Sequence, residues 1–162
     1  MIAFDPSKIG ALLSDLSFEG GEFFKKMMDP TSMTSKIWNN LGFKWDDKTY
    51  LHLEMPSTVG VSNAREIAKL YNYLACGGKV GERMLIRDSH VIEHGTQVAA
   101  QGPDQVILVN RNYANAGFIK SPEYPTAFYH SGSGGSYGWG DMKHQVAMSY
   151  VMNSVSVDGL FY

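Results

Sequence analysis

A histidine and several serines lie close together in the segment 130–136. A serine hydroxyl becomes a nucleophile when a neighbouring imidazole accepts its proton, so this segment could support acyl transfer. Ser131, Ser133 and Ser136 are the candidate hydroxyls, and His130 is the candidate base. Neighbouring residues of a strand point to opposite faces, so His130 and Ser131 cannot readily meet. The structural alternative is a strand that ends in a flexible Gly/Ser turn.

The same segment can be compared with the nucleophile elbow of α/β-hydrolases, which is written Gly-x-Ser-x-Gly. In Ser131-Gly-Ser133-Gly-Gly135 a serine stands where the first glycine is required, and no helical pattern follows. The elbow needs both the strand-to-helix turn and that glycine. The α/β-hydrolase interpretation is therefore disfavoured.

Two histidines spaced four residues apart form a candidate zinc pair. His90 and His94 flank Glu93 in the order His-x-x-Glu-His, which on a helix places both imidazoles on one face. Gly95 ends the predicted helix, no further ligand is indicated, and surface histidines near a helix end are the commoner case. We therefore predict neither a metal nor a cofactor. A zinc site would require the fold to bring a third ligand to the pair.

The elements that must position these residues are helices first and strands last. Capping residues and apolar spacings of three or four predict helices over 6–16, 22–28, 34–40, 62–75 and 88–95. Strands are predicted for short apolar runs at 106–109 and 116–119, and for an antiparallel ribbon over 128–132, 137–140 and 146–153. This order favours an α+β fold over a parallel α/β fold.

The clearest of these helices opens at Ser62 or Asn63, and Gly77-Gly78 closes it. Its apolar residues share one face, as the helical repeat requires: Ile67, Leu70, Tyr71 and Leu74. Aromatic side chains in such a helix are more often packing residues than pocket residues.

Composition and charge exclude several classes of function. The 162 residues are 44% hydrophobic and 19% charged, which is typical of a soluble globular unit with a core. The formal charge of −2 leaves no basic surplus to bind nucleic acid. Cys76 is the only cysteine, so an intrachain disulfide or a multi-cysteine zinc site cannot form. We see no signal-peptide pattern and no apolar run that could span a membrane, which predicts a cytoplasmic protein.

Three stretches in order along the chain resemble the β-lactamase-related family, which includes class C β-lactamases, related esterases and penicillin-binding proteins. They are 54–60 running into 62–78, then 115–118, then 130–153. The order carries the resemblance, because a His-Ser-Gly tripeptide alone is common by chance. The resemblance implies an α+β fold, the C-terminal part of the β-lactamase/penicillin-binding-type fold, with helices followed by antiparallel strands. It implies one partial domain over 1–162, divided into a helical and loop region (1–61), helices (62–95) and antiparallel strands (105–153).

In that family the third active-site motif is Lys or His, then Thr or Ser, then Gly, on an edge strand beside the nucleophile. Here it is His130-Ser131-Gly132. The resemblance implies that His130 faces an acid or oxygen of the substrate, that Ser131 holds this group, and that Gly132 leaves room beside the strand. The backbone N–H of Ser133 would be one oxyanion donor. These four residues are the predicted catalytic residues, and a small ester or amide is the implied ligand.

The nucleophile motif of the family, Ser-x-x-Lys, is missing, because no serine stands three residues before any lysine. Tyr113-Ala-Asn115 matches the second motif, Tyr-x-Asn, but the family places that motif before the helix at Ser62, so we interpret the match as coincidence. The resemblance therefore implies a β-lactamase-related serine hydrolase domain fragment that is truncated at both ends and catalytically incomplete. The alternative is a non-enzymatic binding or scaffold module.

A sheet that lacks its N-terminal strands would have an open edge with unpaired backbone groups and exposed apolar surface. We therefore expect a protein partner or self-association at that edge. Nucleic acid and membranes are not expected as partners.

Overall fold

The computed structural model describes residues 21–38, 48–49, 52–57, 60–132 and 134–153. The chain divides into two compact units: Met1–Val61 with Asp104–Val109, and Ser62–Pro103 with Asn110–Tyr162. The helix predicted over 6–16 lies outside the described residues. The assignment of 1–162 to one partial domain stays a prediction.

The first unit contains two short helices, α1 (Gly21–Met28) and α2 (Met33–Trp38). Phe23 and Phe24 of α1 are buried and meet edge to face, with ring centroids 5.6 Å apart. Phe23 also meets Trp38 of α2 edge to face at 5.7 Å. Asp29-Pro30 separates the helices, because the residue before a proline disfavours the helical region. The helix predicted over 22–28 is confirmed, and the one over 34–40 is confirmed as far as Trp38, beyond which residues 39 and 40 lie outside the described part.

The apolar run 106–109 also belongs to the first unit, and the prediction of a strand there was wrong. The carboxylate of Asp104 accepts hydrogen bonds from the backbone N–H groups of Val106 and Ile107, at 2.7 and 2.9 Å. Such a turn satisfies locally the groups that a neighbouring strand would otherwise bond. The carbonyl oxygen of Val106 instead accepts from the buried Thr34 hydroxyl at 2.8 Å.

The second unit begins with helix α3 (Ala64–Ala75) at the predicted position. The side-chain oxygen of Asn63 caps it by accepting from the backbone N–H of Glu66 at 3.1 Å. Gly77 and Gly78 end it with φ angles of 72° and 97°. Positive φ angles of this kind favour glycine, so the predicted closing pair is confirmed.

The buried face of α3 is narrower than its apolar face. Tyr71 and Ala75 are buried, whereas Leu70 is 49% exposed. Tyr71 and Ala75 are four residues apart, so they lie on the same side of the helix, which is the buried side. Leu70 lies at the border of that side. The spacing predicted one apolar face, but not every residue of that face is buried.

Every strand pair in the described part of the second unit is antiparallel. The strands are β1 (Lys79–Val80), β2 (Arg83–Met84), β3 (Val98–Pro103), β4 (Asn110–Ala114), β5 (Ala127–Ser131), β6 (Tyr137–Asp141) and β7 (Val146–Tyr150). β1 pairs with β2, β3 pairs with β4, and β5, β6 and β7 pair in chain order. Ile119 forms single bridges to Tyr113 of β4 and to Tyr129 of β5. A further helix, α4 (Ser89–Gly95), separates β2 from β3 and confirms the helix predicted after Asp88.

The ribbon predicted for the last third is confirmed, but the strands before it were not placed correctly. β1, β2, β3 and β4 coincide with none of the predicted runs, and in 116–119 only Ile119 takes part in strand pairing. Gly117 has a φ of 81° and donates its N–H to the carbonyl of Ala114, so this run begins with a turn. β3 begins at Val98, before the strand region predicted over 105–153, and it ends in Gly102-Pro103, two residue types that disfavour strands.

The core of the second unit lies between α3 and the ribbon, where α3 packs against β6 and β7. Phe128 of β5 is fully buried, and its ring lies 4.9 Å from that of Phe118 and 5.9 Å from that of Tyr71. Gly138 of β6 lies directly under Tyr71, since a Cβ there would stand 2.3 Å from the Cε2 atom of the ring. Among the residues described, no helix is long and apolar enough to cross a bilayer.

Candidate functional site

The His-Ser-Gly motif lies at the C-terminal end of β5, where, among the described residues, the strand pairs with β6 along one edge. Tyr129 exchanges backbone hydrogen bonds with Ile119, while the N–H of Gly132 donates to the carbonyl of Ser136 at 2.7 Å. Since backbone groups alternate in direction along a strand, the N–H of Ser131 points away from β6 toward the edge. His130 and Gly132 are exposed and Ser131 is half-buried. Ser133, the predicted oxyanion donor, lies outside the described residues.

The His130 imidazole is oriented by its own backbone. Its Nδ1 atom lies 2.7 Å from the carbonyl oxygen of Ser131. A carbonyl oxygen can only accept a hydrogen bond, so we assign the proton of the neutral ring to Nδ1 and leave Nε2 as an acceptor. When the ring is protonated, Nε2 becomes a second donor.

This geometry bears on the serine-nucleophile interpretation. Among the described residues, the hydrogen bond of the His130 ring goes to a carbonyl, and no serine hydroxyl bonds to it. The alternation of β5 puts the Ser131 side chain on the opposite face of the strand from His130. The described part of the motif therefore offers recognition groups without an assembled serine–histidine pair.

Gly132 leaves open space that the protein does not need for folding. Its φ lies outside the left-handed region, and a Cβ there would stand 3.6 Å from the nearest atoms, both of Ser136. That distance is ordinary van der Waals contact, so the described fold would tolerate a side chain at this position. At Gly132 the backbone of the motif therefore carries no side chain beside Ser136.

A tyrosine pair and an arginine lie on the face of the ribbon that carries the Ser131 side chain. The rings of Tyr129 and Tyr137 stack at 5.3 Å, and Nη1 of Arg111 donates to the Tyr129 hydroxyl at 3.3 Å. Burial, reinforced by the two tyrosines nearby, raises the pKa of Tyr137 to about 12, although the Arg111 guanidinium opposes the rise. The Tyr137 phenol therefore stays a neutral donor at physiological pH. No sequence motif pointed to the pair or the arginine, since the three residues come from three different strands.

Tyr71 is a further residue near the motif that motif reasoning missed. It had been interpreted as a packing residue, and its ring does pack against Phe118 and Phe128. Burial raises the pKa of Tyr71 to about 12, and the nearby backbone of His130, inside the candidate motif, opposes part of that rise. The two residues are far apart in sequence, so no local spacing could have indicated this proximity.

The histidine pair on α4 gathers no further metal ligand within the described part of the chain. Nδ1 of His90 lies 3.2 Å from Oε2 of Glu93, and the backbone carbonyl of His94 accepts from the side-chain amide of Asn115 at 2.9 Å. Among the residues that the structure describes, no group of three His, Cys, Asp or Glu side chains could hold a metal ion. A zinc site requires a third ligand beside His90 and His94, and the described residues do not bring one to the pair.

Comparison with known protein families decides the relationship of the chain. The family model described as Beta-lactamase matches residues 21–160. The chain belongs to the β-lactamase family. The family match confirms the predicted α+β class and the predicted β-lactamase/penicillin-binding-type fold. Two solved structures that match part of the chain also support this fold.

The β-lactamase-family proteins similar to this chain include enzymes named for ester hydrolysis. The esterase/β-lactamase LipL of Mycobacterium tuberculosis is 35% identical over 108 residues, which are 64% of this chain and 24% of that protein. The crystal structure of a family VIII carboxylesterase matches with 37% identity and a TM-score of 0.55, over 59% of this chain and 27% of that one. A penicillin-binding protein homolog from Caulobacter crescentus matches with 33% identity, a TM-score of 0.55 and the same coverages. The chain thus spans about a quarter of the length of these relatives.

Proposed function

We propose that this chain carries the ligand-recognition strand of a β-lactamase-family site for small esters or amides, without the nucleophile that acyl transfer requires. The observation that carries the proposal is the His130-Ser131-Gly132 segment, whose first and last residues are exposed, on the open end of β5 in a chain of this family. The names of two relatives, an esterase/β-lactamase and a carboxylesterase, support the ligand class.

Each residue of the segment would contribute one contact to a bound acyl group. The outward N–H of Ser131 and the predicted N–H of Ser133 would donate to carbonyl oxygens of the ligand, as edge-strand amides do. The His130 ring would accept at Nε2 when neutral and donate there when protonated. Gly132 would let the ligand lie against the backbone, because no side chain stands in the way.

The same residues explain why we expect no turnover by the isolated chain. A general base must lie within about 2.6–3.2 Å of the hydroxyl that it deprotonates. The sequence has no Ser-x-x-Lys pair, and the His130 ring bonds to a backbone carbonyl. Ligand binding without acylation is the expected behaviour.

The first test treats the purified chain with a fluorescent fluorophosphonate and with p-nitrophenyl butyrate. Folding is verified by near-UV circular dichroism, and labelling is read by gel fluorescence and mass spectrometry. Absence of both label and ester turnover on folded protein is expected. A stoichiometric label on one serine, together with turnover, would show that the chain has a nucleophile and would contradict the incomplete-enzyme proposal.

The second test measures binding of butyranilide, a small unreactive amide, by ¹H–¹⁵N NMR. We expect concentration-dependent shifts of the His130, Ser131 and Gly132 amides in the wild type, and their loss in Gly132→Ala, whose new methyl group stands on the backbone against which the ligand would lie. Gly60→Ala is the matched control, because a Cβ at Gly60 meets nothing within 4 Å. Shifts that are absent or that avoid β5 would contradict the proposal.

A second candidate function is the non-enzymatic interaction module. The observation that favours it is the exposure of Val146, Met148 and Tyr150, which alternate along one face of β7. An apolar stripe on a strand is a common basis for protein contacts. A chain that shows neither label nor amide shifts but associates through β7 would fit this function.

A further inference from the structure

We infer that Tyr137 is a specificity-determining residue of the candidate site and that the site prefers aryl amides or aryl esters: the aromatic ring of the ligand lies over Ser131 and packs against the ring of Tyr137. The inference rests on the proposed role of β5 in ligand recognition and names a ligand class within it.

Ser131 and Tyr137 are cross-strand neighbours of the closest kind. They are Cα partners in the ladder between β5 and β6. Next to them, the N–H of Gly132 donates to the carbonyl of Ser136 at 2.7 Å. This bond makes Ser131 and Tyr137 a non-hydrogen-bonded pair, the type whose side chains approach most closely. The two side chains therefore stand side by side on one face of the ribbon.

This pair places a recognition group beside an aromatic ring. In a non-hydrogen-bonded pair the N–H groups point away from the partner strand, so the N–H of Ser131 is directed away from β6. The Ser131 side chain stands beside Tyr137 and is too short to cover a neighbouring ring. A planar group attached to a carbonyl that accepts from the Ser131 N–H can therefore fold over the serine and reach the ring of Tyr137.

The Tyr137 ring is supported before any ligand binds. It stacks on the ring of Tyr129 with centroids 5.3 Å apart and an interplanar angle of 29°. Nη1 of Arg111 donates to the Tyr129 hydroxyl at 3.3 Å, which ties that second ring to β4. A ring supported in this way loses little conformational freedom when a ligand packs against it, so more of the contact contributes to affinity.

The composition of this face favours an aryl group over an aliphatic one. The row that starts at Ser131 continues through Tyr137 to Tyr150, which is 60% exposed. The neighbouring row consists of Tyr129, Trp139 and Met148. Neither row contains a charged side chain. Aromatic rings attract one another beyond the effect of the area that they bury, and an aliphatic ring lacks this contribution.

The experiment compares binding of butyranilide with binding of N-cyclohexylbutyramide, which has the same amide and a ring of six carbons without aromatic character. The ¹H–¹⁵N shifts of the His130, Ser131 and Gly132 amides give the affinities. We expect the wild type to bind butyranilide about two- to tenfold more tightly, which is the effect of one aromatic pair. We also expect a nuclear Overhauser effect between the phenyl protons of the ligand and the ring protons of Tyr137.

Two variants test whether the preference comes from the ring of Tyr137. Tyr137→Leu removes the ring and should bind the two amides with nearly equal affinity. Tyr137→Phe removes only the hydroxyl and should keep the preference. Tyr124→Leu is the matched control, because Tyr124 is exposed and lies outside the strands, and it should bind both amides as the wild type does.

Three results would overturn the inference. The first is a folded Tyr137→Leu that keeps the wild-type preference, and the second is a Tyr137→Phe that loses it. The third is the absence of an Overhauser effect to the Tyr137 ring when butyranilide saturates the wild type. This last measurement needs no variant, so it decides alone if Tyr137→Leu does not fold.

The failure of this inference can be distinguished from the failure of the proposed function. Equal affinity of the wild type for the two amides, with shifts on β5, would support ligand recognition and overturn the aryl preference. Absence of shifts on β5 with both amides would contradict ligand recognition itself, and the aryl preference would be overturned with it.

Discussion

At the scale of single residues, Gly138 determines how closely α3 can approach β6. The Tyr71 ring lies where a side chain of Gly138 would be, at distances far inside van der Waals contact for any Cβ. The packing of this core is set by the absence of one methyl group. Atoms at such distances cannot be accommodated without moving the ring or the helix.

We expect Gly138→Ala to lower the free energy of unfolding by about 1–3 kcal/mol, the usual cost of overpacking a core position. The measurement is urea denaturation monitored by tyrosine and tryptophan fluorescence. Gly60→Ala, at an open position with an ordinary backbone conformation, should stay within about 0.5 kcal/mol of the wild type. Wild-type stability of Gly138→Ala would contradict the placement of the Tyr71 ring over β6.

At the scale of elements, the turn between β6 and β7 is organised by the Asp141 carboxylate. It accepts hydrogen bonds from the backbone N–H of Lys143 at 2.9 Å and from Nδ1 of His144 at 2.5 Å. Burial raises the pKa of this carboxyl, but bonds from His144, Thr126 and two backbone N–H groups outweigh it and bring the pKa to about 2. Lys120 also lies close enough to interact with this charge. The carboxylate form therefore stabilises the turn.

The pH dependence follows from the direction of that shift. The folded-state pKa of about 2 lies below the ordinary value of 3.8, so the stabilisation is fully present above about pH 4–5 and is lost as the pH falls toward 2. We expect Asp141→Asn to be about 1–2 kcal/mol less stable than the wild type at pH 6, with a difference that shrinks between pH 4 and 2. Urea titrations at several pH values test this.

Glu123→Gln serves as the control for the Asp141 variant, since Glu123 lies exposed in the loop before β5 and should change stability little at any of these pH values. A stability difference for Asp141→Asn that persists unchanged at pH 2 would show that packing, rather than charge, accounts for the role of Asp141.

Elements with local signals were predictable from the sequence, and elements that depend on a distant partner were not. Helix α3 carries its own start signal in Asn63 and its own stop signal in Gly77 and Gly78, so its limits were predicted closely. β3 has no alternation in its sequence and is a strand because β4 pairs with it. The run 106–109 has the composition of a strand but lies in a turn, because one carboxylate at Asp104 bonds two of its N–H groups.

The candidate site divides in the same way. The motif on β5 could be found because its residues are adjacent and follow other family stretches in order. Tyr71 and Arg111 could not be found, because their positions beside His130 and Tyr129 depend on how elements pack. Sequence spacing carries information about neighbours on one element and very little about hydroxyl contacts between elements.

At the scale of the whole molecule, β7 presents the feature that bears most on association. Val146, Met148 and Tyr150 are each at least half exposed, and the strand VAMSY has no charged residue and no proline. Within the described residues, β7 pairs with β6 alone. Natural edge strands are commonly protected by charges, proline or bulges, and this one has none of them. The expected partner or self-association at an open edge stays a prediction.

We expect the chain to self-associate through β7 at high concentration. In an antiparallel pair centred on Met148, Val146 of one copy would lie opposite Tyr150 of the other, and aromatic–β-branched pairs of this kind are favourable. Met148→Lys places two like charges together at the centre and should shift the protein toward monomer. Sedimentation velocity over a range of concentrations measures the effect. Tyr124→Lys, an equally exposed apolar-to-charged change outside the strands, should leave association unchanged, and equal effects of both variants would contradict pairing through β7.

The packing of the Tyr71 ring against Gly138 also has a consequence for synthesis on the ribosome. Helix α3 is complete at Ala75, but the last residue of β6, Asp141, is added 66 residues later. At translation rates of about 5–20 residues per second, roughly 3–13 seconds pass between the synthesis of the helix and that of the strand against which its Tyr71 ring packs. Until then the Tyr71 ring lacks the surface of β6 on which it packs, so this part of the core can form only late in synthesis.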